Sequence, residues 1–236
     1  MNSFLINGGG FNFLLVVALV VIGVTIASSI RGQQRQKELR QLAKRWHLQF
    51  YPQHVAGEQR GFLANLFGSR TPAGPYGHID DFRVGSSRKA SNTLRGTVAG
   101  RDLWAGDWKY ETGSGKSRNT HRFSYVLLSL PMPSPKVRVR TENFFDTISQ
   151  SIGFNDLDFE SVAFSDAYHV SADDDRFAYA LFHPPMIELF LRRRPDTARF
   201  GDGYLLLRGT GWSAGDLDHH MRLAGDILDT WPRHLL

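Results

Sequence analysis

Gly211-Trp212-Ser213-Ala214-Gly215 has the spacing of a nucleophile elbow, G-x-S-x-G, in which a strand-to-helix turn exposes a serine hydroxyl. That chemistry also needs an acid and a histidine on later strands. Only 21 residues follow Gly215, and they read as one helix. Ser213 is therefore a candidate nucleophile whose better account is an N-cap to the helix amides. A serine hydrolase built on it is the catalytic alternative. Gly113-Ser114-Gly115-Lys116-Ser117 suggests a phosphate loop, but the pattern needs glycine where Tyr110 stands. It also joins two strands, whereas a phosphate loop opens a helix. A hairpin loop is the reading.

Asp173-Asp174-Asp175 offers oxygen ligands for a hard cation but lacks spaced ligands, and acids also suit a helix's first turn. His219 and His220 are adjacent, so on a helix they diverge by about 100° and do not chelate one ion. Arg192-Arg193-Arg194 before Pro195 complements a helix C-terminus, or grips an acidic partner or a phosphate. Trp104, Trp108 and Tyr110 share one strand face, as core or as the lining of an apolar-ligand pocket. With no cysteine there is neither disulfide nor thiolate site. No metal and no cofactor is expected.

The elements that position these groups follow from periodicity. Leu39, Leu42, Ala43, Trp46 and Phe50 form an apolar helical stripe closed by Pro52. Phe82 and Val84 begin a first strand. Residues 95–140 are strand territory: 103–110, 122–130 and the alternating Lys136-Val137-Arg138-Val139-Arg140 make an antiparallel meander with one wet face. Asn143 caps a short helix over 144–152, and Val162 to Val170 suggests a strand or hairpin. Ser171 opens a capping box for a helix that Pro184-Pro185 must break or restart. Residues 200–208 form a strand. Ser213-Ala214-Gly215-Asp216 caps a terminal helix with Leu217, Met221, Ala224, Leu228 and Trp231 on its apolar face. Strands first and helices later give an α+β domain with a largely antiparallel sheet and flanking helices.

That domain, 55–236, hangs from an unusual leader. Residues 1–10 are a short lead, and 11–30, FNFLLVVALVVIGVTIASSI, hold twenty mostly apolar residues. At about 1.5 Å per residue they span about 30 Å, the hydrocarbon thickness of a bilayer, so the stretch reads as a transmembrane helix. A cleaved signal peptide fits less well, because the lead has no Lys or Arg and the apolar run is long. A basic collar follows over 31–50, where Arg31, Arg35, Lys37, Arg40, Lys44 and Arg45 face one acid, Glu38. The positive-inside rule puts that side in the cytoplasm, with the collar against anionic head groups. The net charge of +5 resides in the collar: of 28 bases and 23 acids, 22 of each remain elsewhere. A neutral domain gives no footprint for nucleic acid.

Residues 95–131, RGTVAGRDLWAGDWKYETGSGKSRNTHRFSYVLLSLP, and 159–191, FESVAFSDAYHVSADDDRFAYALFHPPMIELFL, resemble uncharacterised bacterial single-pass membrane proteins of actinobacterial type. Their domain is one of unknown function. The resemblance implies a bacterial plasma membrane and carries no activity, cofactor or catalytic residue. The expectation is a non-catalytic binding domain at the cytoplasmic face, with a protein or small apolar ligand as partner.

Overall fold

The computed structural model describes residues 8–54, 74–141 and 157–235, with side chains at 16–20, 32–52, 74–141 and 157–235. Its centre is one eight-stranded sheet in which every neighbouring pair is antiparallel. The strands are β1 (Gln49–His54), β2 (Ser86–Val98), β3 (Arg101–Thr112), β4 (Asn119–Ser129), β5 (Val137–Thr141), β6 (Tyr168–Ala172), β7 (Thr197–Gly201) and β8 (Tyr204–Gly209). They lie in the order β1-β2-β3-β4-β8-β7-β5-β6. The helices are α1 (Gly8–Arg45), α2 (Asp80–Arg83), α3 (Val162–Ala167), α4 (Asp175–Leu181), α5 (Pro184–Arg193) and α6 (Ala214–Asp229). The fold is α+β with flanking helices, as the strand-then-helix order implies.

Helices cover one face of the sheet. Leu39, Leu42 and Ala43 of α1, Phe190 of α5 and Leu217 and Met221 of α6 join Leu94, Leu103, Val126 and Phe200 in the larger core. The apolar stripe of α1 thus packs on its own domain, and Trp46 Nε1 donates to Asp218 Oδ1 of α6 at 2.6 Å. The helix ends at Arg45 and does not continue to Phe50. His47 takes a left-handed φ of 55°, Leu48 N–H reaches the Ala43 carbonyl at 2.8 Å, and His47 N–H reaches that of Lys44 at 3.2 Å. This Schellman closure turns the chain into β1, where Phe50 lies.

Three local expectations change. Phe82 sits in the α2 turn rather than in a strand. Val162 and Phe164 are helical, and only Tyr168 onward is extended. Asp174, not Ser171, caps α4, its carboxylate accepting from Arg176 N and Phe177 N at 2.9 and 3.1 Å. The helix expected over 144–152 lies outside the described residues.

Among the described residues no helix is long and apolar enough to cross a membrane. Of the stretch 11–30, the side chains of 11–15 and 21–30 lie outside the described residues. Val16, Val17, Leu19 and Val20, which are described, are 57%, 42%, 60% and 59% exposed.

The opposite sheet face is closed by a short segment, Pro75–Gly77 in a 3-10 turn followed by α2. Tyr76, Ile79 and Phe82 pack there on Trp104, Trp108, Tyr110, Phe123 and Tyr125. The Tyr76 and Tyr125 hydroxyls meet at 2.5 Å, and burial pushes the Tyr76 phenol up to about 12. Beside them, Arg199 binds Asp81, Asp80 (3.0 Å) and Asp202 (2.5 Å), while Arg208 lies 3.5 Å from Asp81. Asp81 and Arg199 are each 5% exposed. Burial raises the Asp81 carboxyl, but Arg208 and Arg199 outweigh it and hold it below the usual range. The hydrogen bond from Lys136 does the same for Asp80.

Folded carboxyl values below the unfolded ones mean that this stability is present above about pH 4 and is lost as pH falls through the folded values. Asp81→Asn removes one of the three carboxylates around Arg199 and the one that lies 3.5 Å from Arg208. It should lower unfolding free energy by about 3–5 kcal/mol in urea titrations at pH 7, with little further loss on acidification through the Asp81 range.

Candidate functional site

The sheet's helix-side face carries an irregularity that builds a site. Between Ser91 and Leu94, β2 holds one residue more than β3 opposite it. At this bulge Asn92 adopts a left-handed φ of 52°, which asparagine tolerates. Gly106 of β3 makes room for it, since a Cβ there would stand 3.0 Å from the Ser91 and Asn92 carbonyl oxygens and from Thr93 Cα. The bulge aims the Asn92 side chain at Asp107, whose Oδ2 accepts from Asn92 Nδ2 at 2.9 Å. Asp107 Oδ1 accepts from Ser124 Oγ of β4 at 2.7 Å and from Arg35 Nη2 of α1 at 2.8 Å. Arg35 Nη1 also donates to the carbonyl of Trp212.

Trp212 is itself held. Its indole stacks on His220 with ring centroids 3.7 Å apart, and His220 Nδ1 donates to the Asp216 carbonyl at 2.8 Å. Burial lowers the His220 pKa below its ordinary value. Helix α1, the sheet and the start of α6 therefore meet at one polar joint.

Around this joint lies a groove of 660 Å³, bordered by Arg35 and Gln36 of α1, Pro52 of β1 and the Gly211-Trp212 turn. Its floor carries three cations in register: Lys89 of β2 opposes Lys109 of β3, which opposes Arg122 of β4. Lys109 meets Glu111 at 3.2 Å, and Arg118 shares that carboxylate at 3.5 Å. Lys89 and Arg122 have no ion-pair partner among the described residues. A second depression, of 770 Å³, has Phe159, Tyr179, Phe182 and Ile187 in its lining and Asp158, Glu160 and Glu188 as its acids. Cations converge in the groove against α1.

The residues singled out by motif disperse. Ser213 Oγ accepts from Asp216 N at 3.1 Å and donates to Asp216 Oδ2 at 2.8 Å, while that carboxylate also accepts from Ser213 N. These bonds form a capping box and hold the Asp216 carboxyl below its usual range. Among the described residues no histidine bonds to Ser213. Trp104, Trp108 and Tyr110 do share a face, but it is buried beneath Tyr76 and Phe82, so a ligand there would have to displace that segment. Within the collar, Arg35 turns to the domain rather than to a membrane surface. Lys37 and Lys44 are exposed, Arg40 lies 5.7 Å from the Phe50 ring, and Arg45 reaches Asp218 at 3.9 Å. The Arg31 side chain lies outside the described residues. Arg193 pairs with Asp226, joining α5 to α6. Lys116 stands in the β3–β4 hairpin, where Gly113 and Gly115 have φ of 76° and 56°. Periodicity did not reveal Lys89, Asn92, Asp107, Lys109, Arg122 and Ser124. The alternation predicts one wet face for the meander, but both of its faces carry core residues, and Asp107 and Lys109 lie on the face that also buries Leu103 and Ala105.

No family model and no curated protein matches the chain. Among solved structures, it is similar to the crystal structure of the mycobacterial trehalose monomycolate transport factor A, TtfA. The TM-score is 0.55 at 10% sequence identity, over 83% of this chain and 93% of that one. The two chains share a fold.

Ser213→Ala removes one cap acceptor from an exposed helix start. It should cost about 0.5–2 kcal/mol of unfolding free energy in denaturant titrations, with α6 still formed by circular dichroism.

Proposed function

We propose that this chain is a single-pass bacterial plasma-membrane protein with its N-terminus outside. It holds a non-catalytic α+β domain at the cytoplasmic face and handles a lipid or another apolar-tailed ligand in the groove against α1. The observation that carries this reading is the joint at Arg35. It ties the domain to the same 38-residue helix whose earlier part holds the apolar stretch 11–30. Arg35 lies five positions beyond Ile30, about 7.5 Å along a helix. With 11–30 in a bilayer, the groove opens at the level of the head groups. Contiguous exposed valines and leucine at 16–20 favour burial in lipid over contact with water.

The collar's charge supports this orientation, and Lys37 and Lys44 are exposed, free to face anionic head groups. The shared fold with a protein named for transport of trehalose monomycolate supports a lipid-handling role over a catalytic one. The hydrolase alternative is disfavoured because the Ser213 hydroxyl is engaged in its own capping box.

The test is membrane retention and topology in a bacterial host. The full chain should resist carbonate extraction, and a chain beginning at Gly32 should be released. Fused after Leu236, a fluorescent protein should glow and alkaline phosphatase should be inactive. Extraction of the full chain by carbonate sinks the anchor, and phosphatase activity reverses the orientation.

A further inference from the structure

We infer that the groove against α1 is a phosphate-binding site in which Lys89, Lys109 and Arg122 grip the anion. This deepens the reading of the groove as the ligand site and does not depend on the membrane anchor. The three residues occupy directly opposed positions on adjacent strands and line the same groove. Side chains so placed start about 5 Å apart at Cβ, and like charges there destabilise a sheet.

Local compensation is thin. Glu111 is shared between Lys109 and Arg118. Asp107 is already taken by Arg35, Asn92 and Ser124, so it answers the charge of α1 and not that of the row. Outside the collar, bases and acids are equal in number, so a row of three cations is a local concentration rather than a general trend. Solvated positions on a sheet tolerate many residue types, and a like-charge row relieved only at Lys109 serves folding badly. An anion resting across it reverses the sign of the interaction.

The chemistry fits a phosphate ester. Two ammonium groups act as mobile point charges, and the guanidinium forks onto two oxygens of one phosphate. The 660 Å³ volume is of the size that holds a small polar head or a metabolite. Both a phospholipid head group and a free phosphate ester carry this group, and the test separates them.

Thermal unfolding of the full chain in neutral-detergent micelles is measured at constant ionic strength with four probes. These are inorganic phosphate, glycerol 1-phosphate, micelles doped with phosphatidylglycerol and micelles doped with phosphatidylcholine. Phosphatidylglycerol should raise Tm, and phosphatidylcholine should do so far less. Lys89→Gln and Arg122→Gln should each raise the half-saturating concentration by about tenfold or more, the effect of losing one charge-assisted contact. Their ligand-free Tm should equal or exceed that of the parent, because the repulsion is relieved. Arg176→Gln, on exposed α4 and outside the groove, should change nothing.

A shift from the two soluble phosphates without one from phosphatidylglycerol keeps the site and assigns it to free esters. No shift from any phosphate probe overturns the proposal. So does a shift unchanged in both groove variants, one equally reduced by Arg176→Gln, or a lower ligand-free Tm in the groove variants. A chain that carbonate extracts but phosphate stabilises fails as a membrane anchor alone.

Discussion

Asp107 is the group on which the arrangement turns. A half-buried carboxylate needs donors, and it receives them from three separate parts of the chain: Arg35 of α1, Asn92 of the β2 bulge and Ser124 of β4. Two of these donors are held elsewhere as well, Arg35 by the Trp212 carbonyl and Asn92 by a bulge backbone that the glycine at 106 accommodates. The carboxylate therefore fixes where the long helix crosses the sheet, and the groove is the space that this crossing leaves open.

The two faces of the sheet are closed by different physics. On the helix side the closure is hydrophobic, with Leu39, Leu42, Phe190 and Leu217 among residues almost fully removed from water. On the other side a short segment brings aromatic rings and two aspartates together. Phe82 packs edge-on to Trp108 at 4.8 Å, while its neighbour Asp81 pairs with both Arg199 and Arg208. Packing and charge meet within consecutive residues, so one four-residue helix both covers the aromatic face and compensates two buried arginines that would otherwise be costly.

Much of this was legible where the signal is local. Trp104, Trp108 and Tyr110 alternate, and they share a face. Ser213 and Asp216 have capping-box spacing, and they form one. Leu217, Met221 and Ala224 have helical spacing, and they are buried. The sequence misled where the deciding partner is distant or the usual marker is missing. Histidine, not glycine, takes the left-handed position that ends α1, so the apolar stripe ran on to Phe50 on paper. Lys89, Lys109 and Arg122 are separated by 20 and 13 positions, and only strand register brings them side by side. Asn92 carries no motif at all, because a bulge is a property of two strands.

Helix α1 runs without interruption from Gly8 to Arg45, and its last turns are clamped at Arg35, Leu39 and Leu42. A continuous helix has no swivel, so the bearing of the groove is written in helical phase. Each residue added or removed between Ile30 and Arg35 turns the domain by about 100° and moves it about 1.5 Å along the axis. The number of residues there acts as a compass setting as much as a spacer.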